Sequence, residues 1–256
     1  MIRAMAAIAS VTFREAIRDK ILYLLLGFAL VMIAMSRLLA LLTVGSESRI
    51  VMDTGLAAIT FFGMLAAVFV GVSLITKEIE RRTAYTLLAR PIPRSVLVTG
   101  KYVGLLGTLL LNAALMSAGF LILLAWRGDP VLAVLPALWL TGVELAVVTA
   151  MAIFFSSVST SSILSVLLTL SLYVAGHLVW SFPLLIRRLT SAWAQDLALA
   201  VSYVIPNLDR FNVRADVIHG DPVPLGFIVG QSVYGISWAV LFLLGAVLAF
   251  SRRDLA

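Results

Sequence analysis

The stretch Gly55–Lys101 reads GLAAITFFGMLAAVFVGVSLITKEIERRTAYTLLARPIPRSVLVTGK. Its first 22 residues carry no charge and are long enough to cross a hydrocarbon core of about 30 Å as a helix. Its remainder, Lys77–Lys101, is rich in Arg and broken by Pro91 and Pro93. An apolar run delivering such a basic segment describes a span that leaves the bilayer and presents a polar surface outside it. The rest of the chain agrees. Hydrophobic residues make up 62% of the 256 residues and charged ones 12%, and the mean hydropathy is +1.08. A soluble domain is about half apolar. The expected fold class is therefore an all-α integral membrane protein, because backbone polar groups in lipid must be satisfied within each segment.

Working outward, six apolar segments stand out: Ile21–Val44, Gly55–Thr76, Tyr102–Trp126, Val131–Phe155, Ser162–Leu185 and Val223–Phe250. Six transmembrane helices follow. Basic residues divide between the two sides. Arg3, Arg14, Arg18, Lys20, the cations of Lys77–Lys101, Arg252 and Arg253 fall on one side, close to span ends. Arg49, Arg127, Arg187, Arg188, Arg210 and Arg214 fall on the other. The denser set predicts cytoplasmic termini in a cell membrane, bacterial inner or plasma. The net charge of +6 then reflects this asymmetry in the lipid bilayer, and no nucleic-acid partner is expected. No cysteine is present, so disulfides and thiolate metal sites are excluded. The N-terminus has mixed charges and no signal-peptide pattern.

Residues 1–20 are amphipathic at helical spacing. Ile2, Ala6, Ala9, Phe13 and Ile17 fall on one face and Arg3, Ser10, Arg14 and Arg18 on the other, which predicts an N-terminal interfacial amphipathic helix. Residues 186–222 form the longest polar interval, an external loop. Within it Trp193–Ile205 is too short to span and predicts a re-entrant or surface-lying helix. Lys77–Arg90 lacks Pro and Gly and predicts a short cytoplasmic helix, ended by Pro91 and Pro93. The whole chain, 1–256, reads as one membrane domain.

In the basic segment, Glu78, Thr83, Leu87, Leu88, Arg90, Pro91, Arg94, Gly100 and Lys101 form a pattern that resembles permeases of the type 2 ABC exporter membrane family. The run Pro206-Asn207-Leu208-Asp209-Arg210-Phe211-Asn212 is similar to one in the multicopper-enzyme maturation permease branch. The resemblance implies that the chain is the membrane subunit of an ATP-driven exporter. It implies further that 77–101 acts as a coupling helix docked on a separate ABC ATP-binding subunit, and that a second permease copy completes a homodimer. The docking residues it implies are Glu78, Arg81, Thr83, Leu87, Leu88, Arg90, Pro91, Arg94 and Lys101. What the chain lacks agrees with a partner engine. A phosphate-cradling loop needs G-x-x-x-x-G-K-[ST], and here Gly100-Lys101 has Ser95 at the first position and Tyr102 after it. No enzymatic activity and no cofactor or metal are expected.

A charged group within a span costs roughly 2.5–3.5 kcal/mol on insertion scales and needs a reason. Glu144 and Asn112 both fall near mid-membrane, about 16 and 15 Å from the cytoplasmic side by helical rise. Two readings stand: a hydrogen bond between them across a helix interface, or a translocation path lined by both. His177, with Tyr173 one turn before it, reads as a helix–helix hydrogen-bond partner. Met32 and Met35 share a face of the first span and read as core packing. Asp216, His219 and Asp221 match no defined metal-site spacing. Two other functional classes compete. An ion-coupled secondary transporter would use Glu144 and His177. An intramembrane enzyme finds neither His-Glu-x-x-His nor Gly-x-Ser-x-Gly in the chain. Apolar walls with few fixed charges suggest a lipid, peptide or amphiphile as substrate.

Overall fold

The computed structural model describes residues 2–40, 47–80, 93–159, 161–182 and 191–252. Among these the regular structure is helical, with no strand. We number the α-helices α1 (Ile2–Ile17), α2 (Lys20–Ala40), α3 (Glu47–Glu80), α4 (Arg94–Arg127), α5 (Leu135–Val158), α6 (Ser162–Leu178), α7 (Ala192–Val204), α8 (Arg214–His219) and α9 (Leu225–Arg252). Five stretches are each long and apolar enough to cross a membrane: Glu47–Ser73, Ser95–Arg127, Val131–Val158, Ser162–Ser181 and Leu225–Ser251. The bent pair α1 and α2 supplies a sixth when taken as one span. The chain is a multi-pass all-α membrane protein.

Local chemistry sets the breaks. Asp19 separates α1 from α2, its carboxylate accepting from the Ile21 amide at 3.0 Å, and the two helices diverge by 60°. Such N-terminal capping supplies a partner for an amide the helix itself leaves free. Helix α4 starts directly after Pro93 and ends at Gly128, whose φ of 76° is left-handed. The Gly128 and Asp129 amides donate to the carbonyls of Ala125 and Leu124, satisfying the last turn. Asp129 also accepts from Arg127 at 2.9 Å, while Arg127 lies 3.7 Å from Glu47 at the start of α3. A serine-rich turn joins α5 to α6, with Ser165 donating to the Ser161 carbonyl at 3.0 Å.

Helix α5 is the centre of the bundle. Val147, Val148, Ala150, Met151, Ala152 and Ile153 are all fully buried, packed chiefly between α9 and α3. One core cluster, around Phe120, Leu124, Val134, Leu208 and Phe211, lies toward the Arg127 end. The other, around Ala16, Leu97, Leu105 and Phe250, lies toward the Lys20 end. Outward faces stay apolar, as at Phe28, Leu167 and Leu244, because lipid rather than water bathes a span.

The structure corrects several boundaries. The second span begins at Glu47 rather than Gly55, and the third at Arg94 rather than Tyr102, because the helical pattern continues through flanking polar residues. Lys101 consequently lies two turns inside α4, with its side chain only 5% exposed. Helix α1 packs on α4, and the packed face carries Met5, Ile8, Ala9, Thr12, Phe13 and Ala16. Ala6 of the expected apolar face is exposed, while Arg3, Ser10, Arg14 and Arg18 face outward as expected. The face is rotated because glycines of α4 set the contact. A methyl group on Gly104 would meet the Ala9 carbonyl and Thr12, and one on Gly100 would meet Ile8. Met32 and Met35 are 40% and 45% exposed, so they sit on the outer face of α2 and not in the core.

The loop after α7 folds back onto the bundle. The Leu208 amide donates to the Gly176 carbonyl at 3.1 Å, and the Asn207 amide donates to the Tyr234 hydroxyl at 2.8 Å. Arg210 lies over the Tyr234 ring, 5.2 Å from its centre. Phe211 fills the notch at Gly235. Two glycine substitutions test these contacts. In Gly104→Ala and Gly176→Ala the added carbon meets backbone atoms of α1 and of the loop, so each lowers stability by about 1–3 kcal/mol. In Gly142→Ala the nearest atom is Leu110 Cδ2 at 3.5 Å, an ordinary contact, and helix propensity raises stability by about 0.5–1 kcal/mol. Thermal unfolding of the three purified variants checks the order.

Candidate functional site: a polar cavity between α3, α5 and α6

Glu144 projects from the middle of α5 and is 4% exposed. Thr141 lies one turn earlier on the same face, as an i, i+3 pair does. From α6 come Tyr173 and His177, again one turn apart, with ring centres 4.5 Å from each other. From α3 comes Thr60, whose hydroxyl lies 3.4 Å from that of Thr141. These side chains line a cavity of about 470 Å³, otherwise walled by apolar residues such as Leu56, Phe61, Met64 and Leu170. The pinned loop contributes Phe211, Asn212, Val213 and Arg214 to the same lining.

The polar atoms are arranged unevenly. His177 Nε2 faces Glu144 Oε1 at 3.4 Å, while His177 Nδ1 lies 3.2 Å from the Tyr173 carbonyl. A carbonyl only accepts, so this contact assigns the proton to Nδ1. In neutral His177 the lone pair of Nε2 therefore points at the carboxyl. Glu144 Oε1 is buried and has no hydrogen-bond partner among the described residues. The Tyr173 hydroxyl approaches the same carboxyl. Thr60 donates to the Leu56 carbonyl at 3.0 Å, which leaves its oxygen lone pairs toward Thr141. Among the described residues Arg214 is the one Lys or Arg in the lining, and its guanidinium lies 3.6 Å from Asp53 of α3. Such an arrangement can hold a ligand in an apolar box through a few convergent polar atoms, the usual plan of a small-molecule site.

Sequence reasoning singled out Glu144, His177 and Tyr173, and these three come together. Asn112 does not join them. Its side chain is 2% exposed, it is absent from the cavity lining, and neither polar atom has a hydrogen-bond partner among the described residues. The Asn112–Glu144 hydrogen bond, one of the two readings, is thus not formed, because Glu144 faces α6 instead. Thr60, Thr141 and Arg214 escaped the sequence reading. Isolated threonines in spans carry no spacing signal, and Arg214 reaches the cavity only through the fold of the loop. Of the coupling set, Arg81, Thr83, Leu87, Leu88, Arg90 and Pro91 lie outside the described residues. Glu78 and Arg94 are described in backbone only, in the last turn of α3 and at the start of α4. His219 in the loop turns its Nδ1 to the Ala215 carbonyl at 2.7 Å.

No curated protein matches the sequence. Residues 6–255 match the family described as ABC-2 family transporter protein, and that span takes in every helix of the cavity and the loop above it. The chain therefore belongs to the ABC-2 transporter family and is one of its membrane permeases.

Proposed function

We propose that this permease serves an ATP-driven exporter and is moved by a separate ATP-binding subunit docked on the segment 77–101. The observation that carries this reading is the convergence of two helices of 34 residues each on that segment, α3 ending at Glu80 and α4 starting at Arg94. A displacement applied between them is passed along two stiff rods that reach the far end of the bundle. The docking surface comprises Glu78, Arg81, Thr83, Leu87, Leu88, Arg90, Pro91 and Arg94. Lys101, buried in α4, anchors the start of that rod. Helix α1 leans on α4 at Gly100, within the segment, and at Gly104, just beyond it, so it moves with the rod. The density of Lys and Arg on this side supports a cell membrane with both termini and the segment on its cytoplasmic side, and two copies of the chain complete the transporter in this reading.

The translocation path runs past Glu144, the buried carboxyl facing the cavity. The same Glu144–His177 contact is what an ion-coupled carrier would use, but membership of the ABC-2 family favours an ATP-driven partner.

Two experiments test the reading. The tagged chain, purified with its partners from its own membranes, brings down ATPase activity. Reversing the charges of Glu78, Arg81 and Arg90 together lowers that recovery about tenfold or more, the effect of losing about 1.4 kcal/mol of contact energy. Normal assembly and stimulation by the triple variant would place the handle elsewhere. Asn112→Leu removes two unpartnered polar atoms, each costing about 1–3 kcal/mol when buried, so it unfolds at an equal or higher temperature with partner ATPase stimulation unchanged. A stable Asn112→Leu variant that no longer stimulates ATP hydrolysis would extend the path to α4.

A further inference from the structure

Within the cavity, beside the donors of Tyr173, Asn212 and Arg214, Glu144 Oε1 and His177 Nε2 keep acceptor capacity. Glu144 Oε1 is buried and without a hydrogen bond, and its carboxyl side chain is 6% exposed. His177 Nε2 faces it at 3.4 Å, with its other nitrogen committed to the Tyr173 carbonyl. With Glu144 ionised and His177 neutral, two lone pairs face each other, which in a low-dielectric site is unfavourable unless a donor sits between them. The Thr60 and Thr141 oxygens add acceptor capacity to the same cavity. The charges acting on Glu144 from the loop, Arg214 and Asp209, are opposite in sign, and Arg214 has its own carboxylate in Asp53. Among the described residues of the loop, the cation that lines the cavity, Arg214, is thus paired with a carboxylate of α3.

We infer that the cavity is a binding site for a protonated primary amine carried on an apolar body, with Glu144 Oε1 and His177 Nε2 as its acceptors. An ammonium brings three donors and no acceptor, which matches a cluster of converging lone pairs. A hydrogen bond to an ionised group is shorter and about twice as strong as a neutral one. The cavity of about 470 Å³ lies in the size range of small-molecule sites, about 300–1,000 Å³, and its remaining walls suit an alkyl or aromatic tail. Substrates of this transporter are then amphiphilic amines. This names the substrate class within the transport reading, and binding to the permease alone stands or falls apart from any ATP-binding subunit.

The experiment uses the full chain in lipid nanodiscs, without an ATP-binding protein, and three water-soluble probes of equal length: hexylamine, hexanol and hexanoate. Thermal unfolding is followed as each is titrated. Hexylamine raises the unfolding temperature saturably, as a ligand bound only by the folded state does, and hexanol and hexanoate do not. Glu144→Gln keeps the side-chain shape, folds, and loses the hexylamine shift by at least about tenfold in apparent affinity, the effect of removing a hydrogen bond to a charged group. Equal shifts from hexylamine and hexanol would overturn the inference by showing that the tail alone binds. A larger shift from hexanoate would overturn it in favour of an anion held by Arg214. An unchanged hexylamine response in Glu144→Gln would place the amine elsewhere.

Discussion

Helices in a bilayer gain little by burying oil against oil, because the lipid tails they leave are as apolar as the side chains they meet. What holds this bundle together is close approach, and the structure achieves it at glycine notches. Gly104 admits the Ala9 carbonyl of α1, Gly55 admits the Phe120 ring, Gly176 admits Leu208, and Gly235 admits Phe211 and Val143. Each notch brings a partner near enough for dispersion contacts that a larger residue would forbid. They also explain why α1 stays on the bundle despite its polar outer face. Its packed residues meet a backbone groove rather than a flat apolar stripe.

The same notches position the chemistry. Leu208 in the groove at Gly176 and Phe211 in the groove at Gly235 clamp the Pro206–Asn212 run between α6 and α9. That clamp carries Arg214 to Asp53 of α3 and lays the loop over the cavity. The polar centre thus rests on three helices and one loop. Glu144 is held in apolar surroundings in which a lone carboxyl is costly, and its nearest companions are the imidazole and phenol of α6. Asn112, at similar depth, has no such company. It is the polar group for which packing alone gives no reward, and it contrasts with a cavity whose polar atoms converge.

At the opposite end, the long helices α3 and α4 flank the basic segment, and α3 also carries Thr60 of the cavity. Helix α5 has no such extension. It is buried along most of its length.

Much of this was legible in the sequence. Runs of uncharged residues of spanning length, the Pro-broken basic segment and the charge asymmetry dictate helices and their approximate number, because a bilayer permits few other solutions. The proximity of Tyr173 and His177 followed from helical spacing, and the buried Glu144 announced itself as an expensive group needing company. Which company it keeps was decided by tertiary structure. Rotation of α5 turns Glu144 to α6 and away from Asn112, and glycine notches rather than apolar periodicity choose the packed face of α1. The methionines of α2 point outward for a related reason: in lipid, hydrophobicity says that a residue is in the membrane but not whether it faces a neighbour. Composition settles the solvent, and only shape settles the partner.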